Sequence, residues 1–261
     1  MSFLNRLLQK PGPSFFPSWN SQKYGELPQD FRRSGGRFLV AGLPKSGNVW
    51  LTSLIASCLD LPAARTANKS HVEYTHKALS SSVLCDPDIY RGVVIVRDLR
   101  DVIVSLYHWL PTDDYLSYYK HGPHQIFDTI EDMYVEYFLR RFAKIDIAHL
   151  VDDYVTRGWP VIKYEALWDE PHQQMERLLK VWRVDVSKQK IAAAVSANSI
   201  DRLKKEFDPK KSRTIDRTIR KDHFRSGGYG QYKKELPARV IRDVEARYGD
   251  YLRSWGYETK L

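Results

Sequence analysis

Short apolar runs alternate with helix-like patterns along the sequence. The first run begins at Arg37 (RFLVA) and ends at Gly42, which is typical of a buried strand, and residues 48–59 then carry apolar side chains three and four apart, which predicts a helix. A second run, GVVIV at 92–96, predicts another buried strand, and its β-branched residues favour a parallel sheet covered on both faces. Residues 98–109 follow as a second predicted helix.

The same alternation continues to the C-terminus. A third strand is predicted at 160–164 (PVIKY), and the helix after it has an apolar stripe made of Met175, Leu178, Leu179 and Trp182. The last helix is expected to have Pro237 in its first turn and one apolar face made of Val240, Val244 and Tyr248. Since strands that alternate with helices form right-handed βαβ units, the predicted fold is a single α/β domain with a parallel central sheet flanked by helices, of the P-loop nucleotide-binding type.

Residues 1–35 show no period and are rich in Pro, Gly, Ser and aromatic side chains. We predict an irregular N-terminal arm there, with Phe15, Phe16 and Trp19 as candidates to pack it on the core. Residues 36–261 are predicted to form one domain, because 261 residues of which 43% are hydrophobic can bury one sizeable core.

Composition also bounds the compartment. No apolar run approaches the roughly 18 residues that a membrane span needs, which argues against an integral membrane protein. The N-terminal residues lack the long apolar segment of a secretory signal, and the two cysteines, Cys58 and Cys85, suit a reducing compartment. A cytoplasmic location is therefore expected.

Positive charge is concentrated near the C-terminus. The chain has 41 basic and 32 acidic residues, a formal charge of +9, and residues 201–242 alone hold 14 basic and 6 acidic side chains. Such a segment is either a solvated helical surface or a site for a multiply anionic ligand. Nucleic acid would fit the charge as well as a small ligand does.

The segment Gly42–Trp50 (GLPKSGNVW) joins the first predicted strand to the first predicted helix. A loop with two glycines at this place can direct backbone N–H groups and the positive end of the helix dipole at a phosphate, although it can also be only a tight turn. Lys45 would add a charge and Ser46 a hydroxyl. A nucleotide-triphosphatase loop would have lysine and then Ser or Thr where Asn48 and Val49 stand, so a phosphate without a metal is expected.

Arg97 follows the second predicted strand at its carboxyl end, where doubly wound folds bind ligands. Asp98 is a candidate helix cap, and Asp101 and Ser105 fall on one helical face. A guanidinium together with a hydroxyl suits a second phosphate. The alternative is an Arg–Asp ion pair that only stabilises the start of the helix.

The segments LPKSGNVWL and VRDLRDVIVSLYHW together resemble the two signature segments of the sulfotransferases that use 3′-phosphoadenosine 5′-phosphosulfate (PAPS) and release 3′-phosphoadenosine 5′-phosphate (PAP). In that family the first segment holds the 5′-phosphosulfate, and the Arg and Ser of the second hold the 3′-phosphate. KYEAL at 163–167 is similar to a strand end that borders the adenine, and FRSGGYGQYK at 224–233 resembles a late segment that returns to the 3′-phosphate. The departures are Asn48 and Val49 in place of two threonines, and Ser226 in place of a lysine.

The resemblance, which spans about residues 37–234, implies a set of donor-binding residues. They are Lys45, Ser46, Gly47, Asn48, Val49, Trp50, Arg97, Ser105, Tyr164, Arg225, Ser226 and Gly227. It further implies in-line transfer of a sulfuryl group to a hydroxyl or amine, with Lys45 on the leaving phosphate, no metal, and a histidine base.

The base is predicted to be His76, since the family's base lies some twenty residues before the arginine and His76 lies 21 positions before Arg97. His71 is the alternative, because Lys69-Ser70-His71 is closer by letters to the family's K-T-H element. His108 is expected to pack against or line the acceptor pocket.

The acceptor is expected to be a small molecule or a glycan, under an aromatic segment that includes Tyr107, His108, Trp109, Tyr115, Tyr118 and Tyr119. Two other functions compete with sulfuryl transfer: a P-loop kinase that uses ATP and magnesium, and a basic, non-enzymatic nucleic-acid-binding domain. We expect no nucleic-acid partner. The sequence does not indicate whether the protein is a monomer or an oligomer.

Overall fold

The computed structural model describes residues 25–63, 69–76, 89–118, 125–142, 147–156, 158–206, 225 and 227–260. Four parallel strands form one sheet in the spatial order β2-β1-β3-β4. Their bounds are β1 (Arg37–Ala41), β2 (His71–Thr75), β3 (Ile89–Val96) and β4 (Val161–Lys163). The α/β prediction and three of the strands are thereby confirmed, whereas β2 was not predicted.

Helices cover both faces of this sheet. Those before β4 are α1 (Asn48–Leu59), α2 (Leu99–Trp109), α3 (Asp113–Tyr118), α4 (Ile130–Met133), which continues through a π-helical segment (Tyr134–Leu139) and a last turn (Arg140–Phe142), and α5 (Ile147–Thr156). Those after β4 are α6 (Tyr164–Asp169), α7 (Pro171–Val181), α8 (Lys188–Ala197), α9 (Ile200–Glu206), α10 (Tyr232–Glu235) and α11 (Ala238–Ser254).

Alternate residues of β3 enter two separate cores. Val93 and Ile95 pack with α1 and α7, whereas Val94 and Val96 pack with α2 and α11. This explains why residues 92–96 of β3 (GVVIV) form an unbroken apolar run, since both faces of a parallel sheet are buried. The stripe predicted for the helix after β4 is buried as expected.

Helix starts follow the capping residues. Asp98 caps α2 by accepting a hydrogen bond from the Arg100 amide at 2.9 Å, as predicted. Pro237 lies just before α11 rather than in its first turn, and Tyr248 interrupts that helix with non-helical backbone angles.

The start of the described chain packs on the core. Phe31 lies edge-on to Phe38 with 6.0 Å between ring centroids, and buried Arg91 donates a hydrogen bond of 2.6 Å to the Gly25 carbonyl. The arm residues Phe15, Phe16 and Trp19 lie outside the described residues. Within the described part of the chain, no helix has both the length and the hydropathy needed to cross a bilayer.

Candidate active site

The carboxyl ends of the four strands lie along one edge of the sheet, and each continues into a residue singled out by the sequence. β1 continues into the 42–47 loop, β3 into Arg97, β2 into His76 and β4 into Tyr164. This edge is where open parallel sheets bind ligands.

Close packing shapes the 42–47 loop. A Cβ atom on Gly42 would lie 2.5 Å from the Ile95 carbonyl oxygen, and one on Gly47 would lie 2.6 Å from the Tyr164 ring, so neither position has room for a side chain. The Asn48 amide donates a hydrogen bond of 2.7 Å to the Leu43 carbonyl. Asn48, which departs from the family's threonine, therefore fastens the loop internally.

The N-terminus of α1 is open to an anion. Gly47 precedes the helix in a left-handed conformation (φ 97°), and no side chain of the described residues caps it. The N–H groups of the first turn of a helix have no acceptor within the helix, and the helix dipole makes this end positive. The buried hydroxyl of Ser46 has no hydrogen-bond partner among the described residues. These donors suit a phosphate.

Lys45 and Val49 complete this part of the site. Lys45 has a left-handed backbone (φ 65°), and its Nζ lies 4.6 Å from the centroid of the Trp109 ring. Val49 is 8% exposed and places an apolar side chain where a magnesium-binding loop would have a hydroxyl.

The Arg97 guanidinium joins three segments of the chain. It donates hydrogen bonds of 3.0 Å to the carbonyls of Lys45 and Gly228, and it lies 4.1 Å from the centroid of the Tyr164 ring. The predicted alternative, an Arg–Asp pair at the start of the helix, is formed by Arg100 with Asp98 at 2.7 Å. Ser105 is half-buried on α2, two turns beyond Arg97.

Tyr164 belongs to an aromatic wall. Its ring packs edge-on against Trp50 at 5.9 Å and stacks on Trp168 at 6.5 Å, and the Trp50 indole donates a hydrogen bond of 2.9 Å to the Asn198 carbonyl. Burial raises the pKa of the Tyr164 hydroxyl, so this phenol is neutral at physiological pH. Trp168 was missed by the sequence analysis, although it lies four residues after Tyr164 and hence on the same helical face.

The 227–232 loop closes the site on the side of Arg97. Gly227, Gly228 and Gly230 all have left-handed backbones, and a Cβ on Gly227 would lie 2.3 Å from the Trp168 ring. Exposed Arg225 contacts Gln231, and its guanidinium lies 3.5 Å from the Glu235 carboxylate. Ser226 lies outside the described residues.

The two candidate bases lie at opposite ends of strand β2. His76 directly follows β2, and its Nδ1 lies 2.8 Å from the Gly42 carbonyl oxygen. Since a carbonyl only accepts, Nδ1 carries the proton in this bond and Nε2 holds the lone pair. His71 begins β2 and is buried about 16 Å away along the strand, given a rise of about 3.3 Å per residue, so the structure does not bring it into the site.

The aromatic segment is placed only in part. His108 is paired with another side chain: its Nε2 lies 2.5 Å from a carboxylate oxygen of Glu235. Trp109 packs edge-on against Tyr115 with 5.2 Å between centroids. The side chain of Tyr118 and all of Tyr119 lie outside the described residues.

A cavity of about 440 Å³ is lined in part by Tyr115, whose ring packs on Trp109. Its described walls are formed by Tyr115, Gln125, Glu136, Tyr137, Arg140 and Arg141. Its lining therefore combines aromatic and charged side chains, and Tyr115 connects it through Trp109 to Lys45.

A family model described as "Sulfotransferase domain" matches residues 63–256, which begin after the 42–47 loop. Among solved structures, the chain is similar to a mouse sulfotransferase complexed with PAP, at 18% identity and a TM-score of 0.64, with 95% of this chain and 94% of that chain covered. It is also similar to a retinol dehydratase in complex with androsterone and inactive cofactor PAP, at 14% identity and a TM-score of 0.60, with 90% and 84% covered. These likenesses show the fold. No curated protein sequence gives a significant match.

Proposed function

The chain belongs to the sulfotransferase family, whose domain covers residues 63–256, and we propose that it transfers a sulfuryl group from PAPS to a hydroxyl or amine acceptor. One observation carries this proposal: the 42–47 loop and the 227–232 loop meet on the guanidinium of Arg97. The segments expected to hold the two ends of one adenosine bisphosphate thus share one edge of the sheet. The PAP carried by the two similar structures supports the same donor.

The residues at this edge fit such a donor. Ser46 Oγ and Arg97 Nε are buried polar atoms with no partner among the described residues, and an anionic ligand would supply the acceptors they lack. We assign the 5′-phosphosulfate to Lys45, Ser46 and the N–H groups of residues 47–50. The 3′-phosphate is assigned to Arg97, Ser105, Arg225, Ser226 and Gly227. The adenine is assigned to the wall of Trp50, Tyr164 and Trp168.

The bound donor supplies an activated sulfuryl group, and the protein's side chains do the remaining work. Lys45 meets the negative charge that develops on the leaving phosphate oxygen as the S–O bond breaks. His76 is the base: the Gly42 carbonyl fixes its tautomer, and Nε2 takes the proton of the attacking hydroxyl or amine. The apolar Val49 supports transfer without magnesium and weighs against a kinase.

The acceptor is proposed to be a small molecule or a glycan. The similar retinol dehydratase holds androsterone, and in this chain the cavity lined by Tyr115 offers polar and aromatic contacts. Family membership favours this assignment over a nucleic-acid-binding domain. A cytoplasmic location remains our expectation from the composition of the chain.

Donor binding and turnover test the proposal. PAP should raise the melting temperature in the presence of EDTA, by ligand linkage, and labelled sulfate should pass from PAPS to at least one phenol, sterol or sugar acceptor. Lys45→Ala should lower kcat about 10²- to 10³-fold, as removal of a group that stabilises developing charge does. Lys190→Ala, at an exposed lysine paired with Asp60, is the control. Protection by ATP and magnesium but not by PAP would overturn the proposal in favour of the kinase.

A further inference from the structure

Asp101 has no part in the assignments above, yet it is 2% exposed in the first turn of α2, next to the site. Its two carboxylate oxygens accept hydrogen bonds from two backbone amides of the 227–232 loop. Oδ2 lies 2.5 Å from the Gly230 nitrogen and Oδ1 lies 3.0 Å from the Tyr232 nitrogen. A side chain that bonds twice to one loop fixes both the position and the orientation of that loop.

The 227–232 loop needs an external anchor. Gly227, Gly228 and Gly230 have φ values of 64°, 69° and 76°, and glycine loses more conformational freedom on ordering than any other residue. A loop of this composition has many alternative conformations of similar energy. Its docked conformation therefore depends on contacts with the rest of the molecule.

Arg100, the residue before Asp101, also contacts the 227–232 loop. Its guanidinium lies 4.2 Å from the centroid of the Tyr232 ring and is itself held by Asp98 and Glu245, each at 2.7 Å. Tyr232 is thus fixed at its amide by Asp101 and at its ring by Arg100. Two residues in the first turn of α2 therefore bind this loop.

The docked loop is in turn part of the candidate 3′-phosphate site. Gly228 accepts a hydrogen bond from Arg97, and Gln231 of the same loop contacts Arg225. Arg97 and Asp101, four residues apart, therefore hold the loop by a carbonyl and by two amides. Movement of the loop away from Asp101 would carry Gly227 and Gly228 away from Arg97.

We propose that Asp101 is a positioning residue that docks the 227–232 loop and thereby gives the enzyme its preference for a 3′-phosphorylated adenosine nucleotide. This rests on the proposed function, because it takes the 3′-phosphate to bind between Arg97 and the loop. Asp101 itself does not touch the donor. A carboxylate is required, since both of its oxygens must accept, and an amide side chain would place a donor against one of the two N–H groups.

Burial raises the pKa of Asp101, so the ionised side chain is held in an environment that penalises its charge. Asp101→Asn relieves this penalty while it removes one acceptor. Stability and loop docking are therefore expected to respond differently to this substitution.

The test compares PAP with adenosine 5′-phosphate, which lacks the 3′-phosphate, by calorimetric titration of the full chain. The wild type should bind PAP far more tightly. Asp101→Asn should weaken the binding of PAP about tenfold or more and change the affinity for adenosine 5′-phosphate less than twofold. The variant should still unfold with a cooperative melting curve. Asp250→Asn, at an exposed aspartate of α11, should leave both affinities unchanged.

The experiment distinguishes failure of the proposed function from failure of the role proposed for Asp101. If the wild type does not prefer PAP, the proposed function is wrong, whereas a wild-type preference that survives in Asp101→Asn overturns the role of Asp101 alone. If the variant does not fold, hydrogen exchange on the wild type decides: PAP should slow exchange of the Gly230 and Tyr232 amides and adenosine 5′-phosphate should not. Equal protection by both nucleotides would overturn the inference.

Discussion

The guanidinium of Arg97 donates a hydrogen bond of 3.0 Å to the backbone carbonyl of Lys45. Lys45 has a left-handed backbone (φ 65°), a conformation that costs a non-glycine residue about 1–2 kcal/mol. The bond therefore helps to hold the 42–47 loop in this left-handed conformation. Arg97 is expected to serve both phosphate sites, one by direct contact and one through the loop.

Replacement of Arg97 should accordingly do more damage than the loss of one phosphate contact. Hydrogen bonds to charged groups are worth about 1.5–3 kcal/mol, so Arg97→Ala should weaken PAP binding at least roughly 10-fold. Arg97→Lys should recover only part of this, since a single ammonium cannot reproduce the planar fork. Titration with PAP measures both, and Arg253→Ala, at an exposed arginine of α11, is the control. Wild-type affinity in the lysine variant would show that the fork geometry is irrelevant.

Most of the fold could be predicted because its signals are local. β1 and β3 contain the apolar runs 38–41 and 92–96, and Asp98 caps α2 by a bond to the nearby Arg100 amide. β2 escaped prediction because it is an edge strand in which His71 and Val72 are buried and the remaining residues are partly exposed. Its sequence, HVEYT, has no apolar run to detect.

Site residues were predictable where one segment holds them and not where distant segments meet. Lys45 and Arg97 lie in recognisable motifs, but the bond from Arg97 to Gly228 joins residues 131 positions apart. The same holds for Asp101 and the 227–232 loop. The sequence favoured His76 over His71 by its spacing to Arg97 alone, and the direction of β2 then places the two histidines at opposite ends of that strand.

The two histidines offer a direct test of the base. His76→Asn should lower kcat about 10²- to 10⁴-fold, the usual contribution of general base catalysis, with little change in PAP affinity. In the wild type the rate should fall as the pH is lowered, because a protonated His76 cannot accept the acceptor's proton. That acid limb should disappear in the variant. His71→Gln should keep both the rate and the limb, and a large loss of kcat in this variant instead would move the base to His71.

Gly227 and Gly228 form a matched pair. Both have left-handed backbones, so alanine should cost about 1–2 kcal/mol of backbone strain at either position. They differ in space: a Cβ on Gly227 would lie 2.3 Å from the Trp168 ring, and one on Gly228 would meet only the Gln231 side chain at 3.9 Å. Gly227→Ala should therefore lose about 1–3 kcal/mol more in the free energy of unfolding or in PAP binding. Denaturant titration and calorimetry of both variants would measure this, and identical losses would refute the close packing on Trp168.

Glu165 and Glu73 should impose opposite pH dependences on stability. Glu165 accepts hydrogen bonds from the Asp98 amide and the Tyr257 hydroxyl, but burial dominates and raises the pKa of its carboxyl. The folded state therefore binds its proton more tightly than the unfolded state does. The resulting stability is present at acid pH and is lost as the pH rises through the raised folded pKa.

Glu73 behaves in the reverse way. The His71 ring at 3.5 Å and the Arg37 guanidinium at 2.7 Å stabilise its carboxylate and lower the pKa of Glu73. Its contribution to stability is present above the unfolded carboxyl pKa, about 4.3, and is lost as the pH falls through the lowered folded value. Urea titrations from pH 3 to pH 7 can separate the two. Glu165→Gln should gain stability relative to the wild type as the pH rises, and Glu73→Gln should lose it. Differences that are flat with pH, or that share one sign, would contradict the buried and ion-paired environments of the two carboxyls.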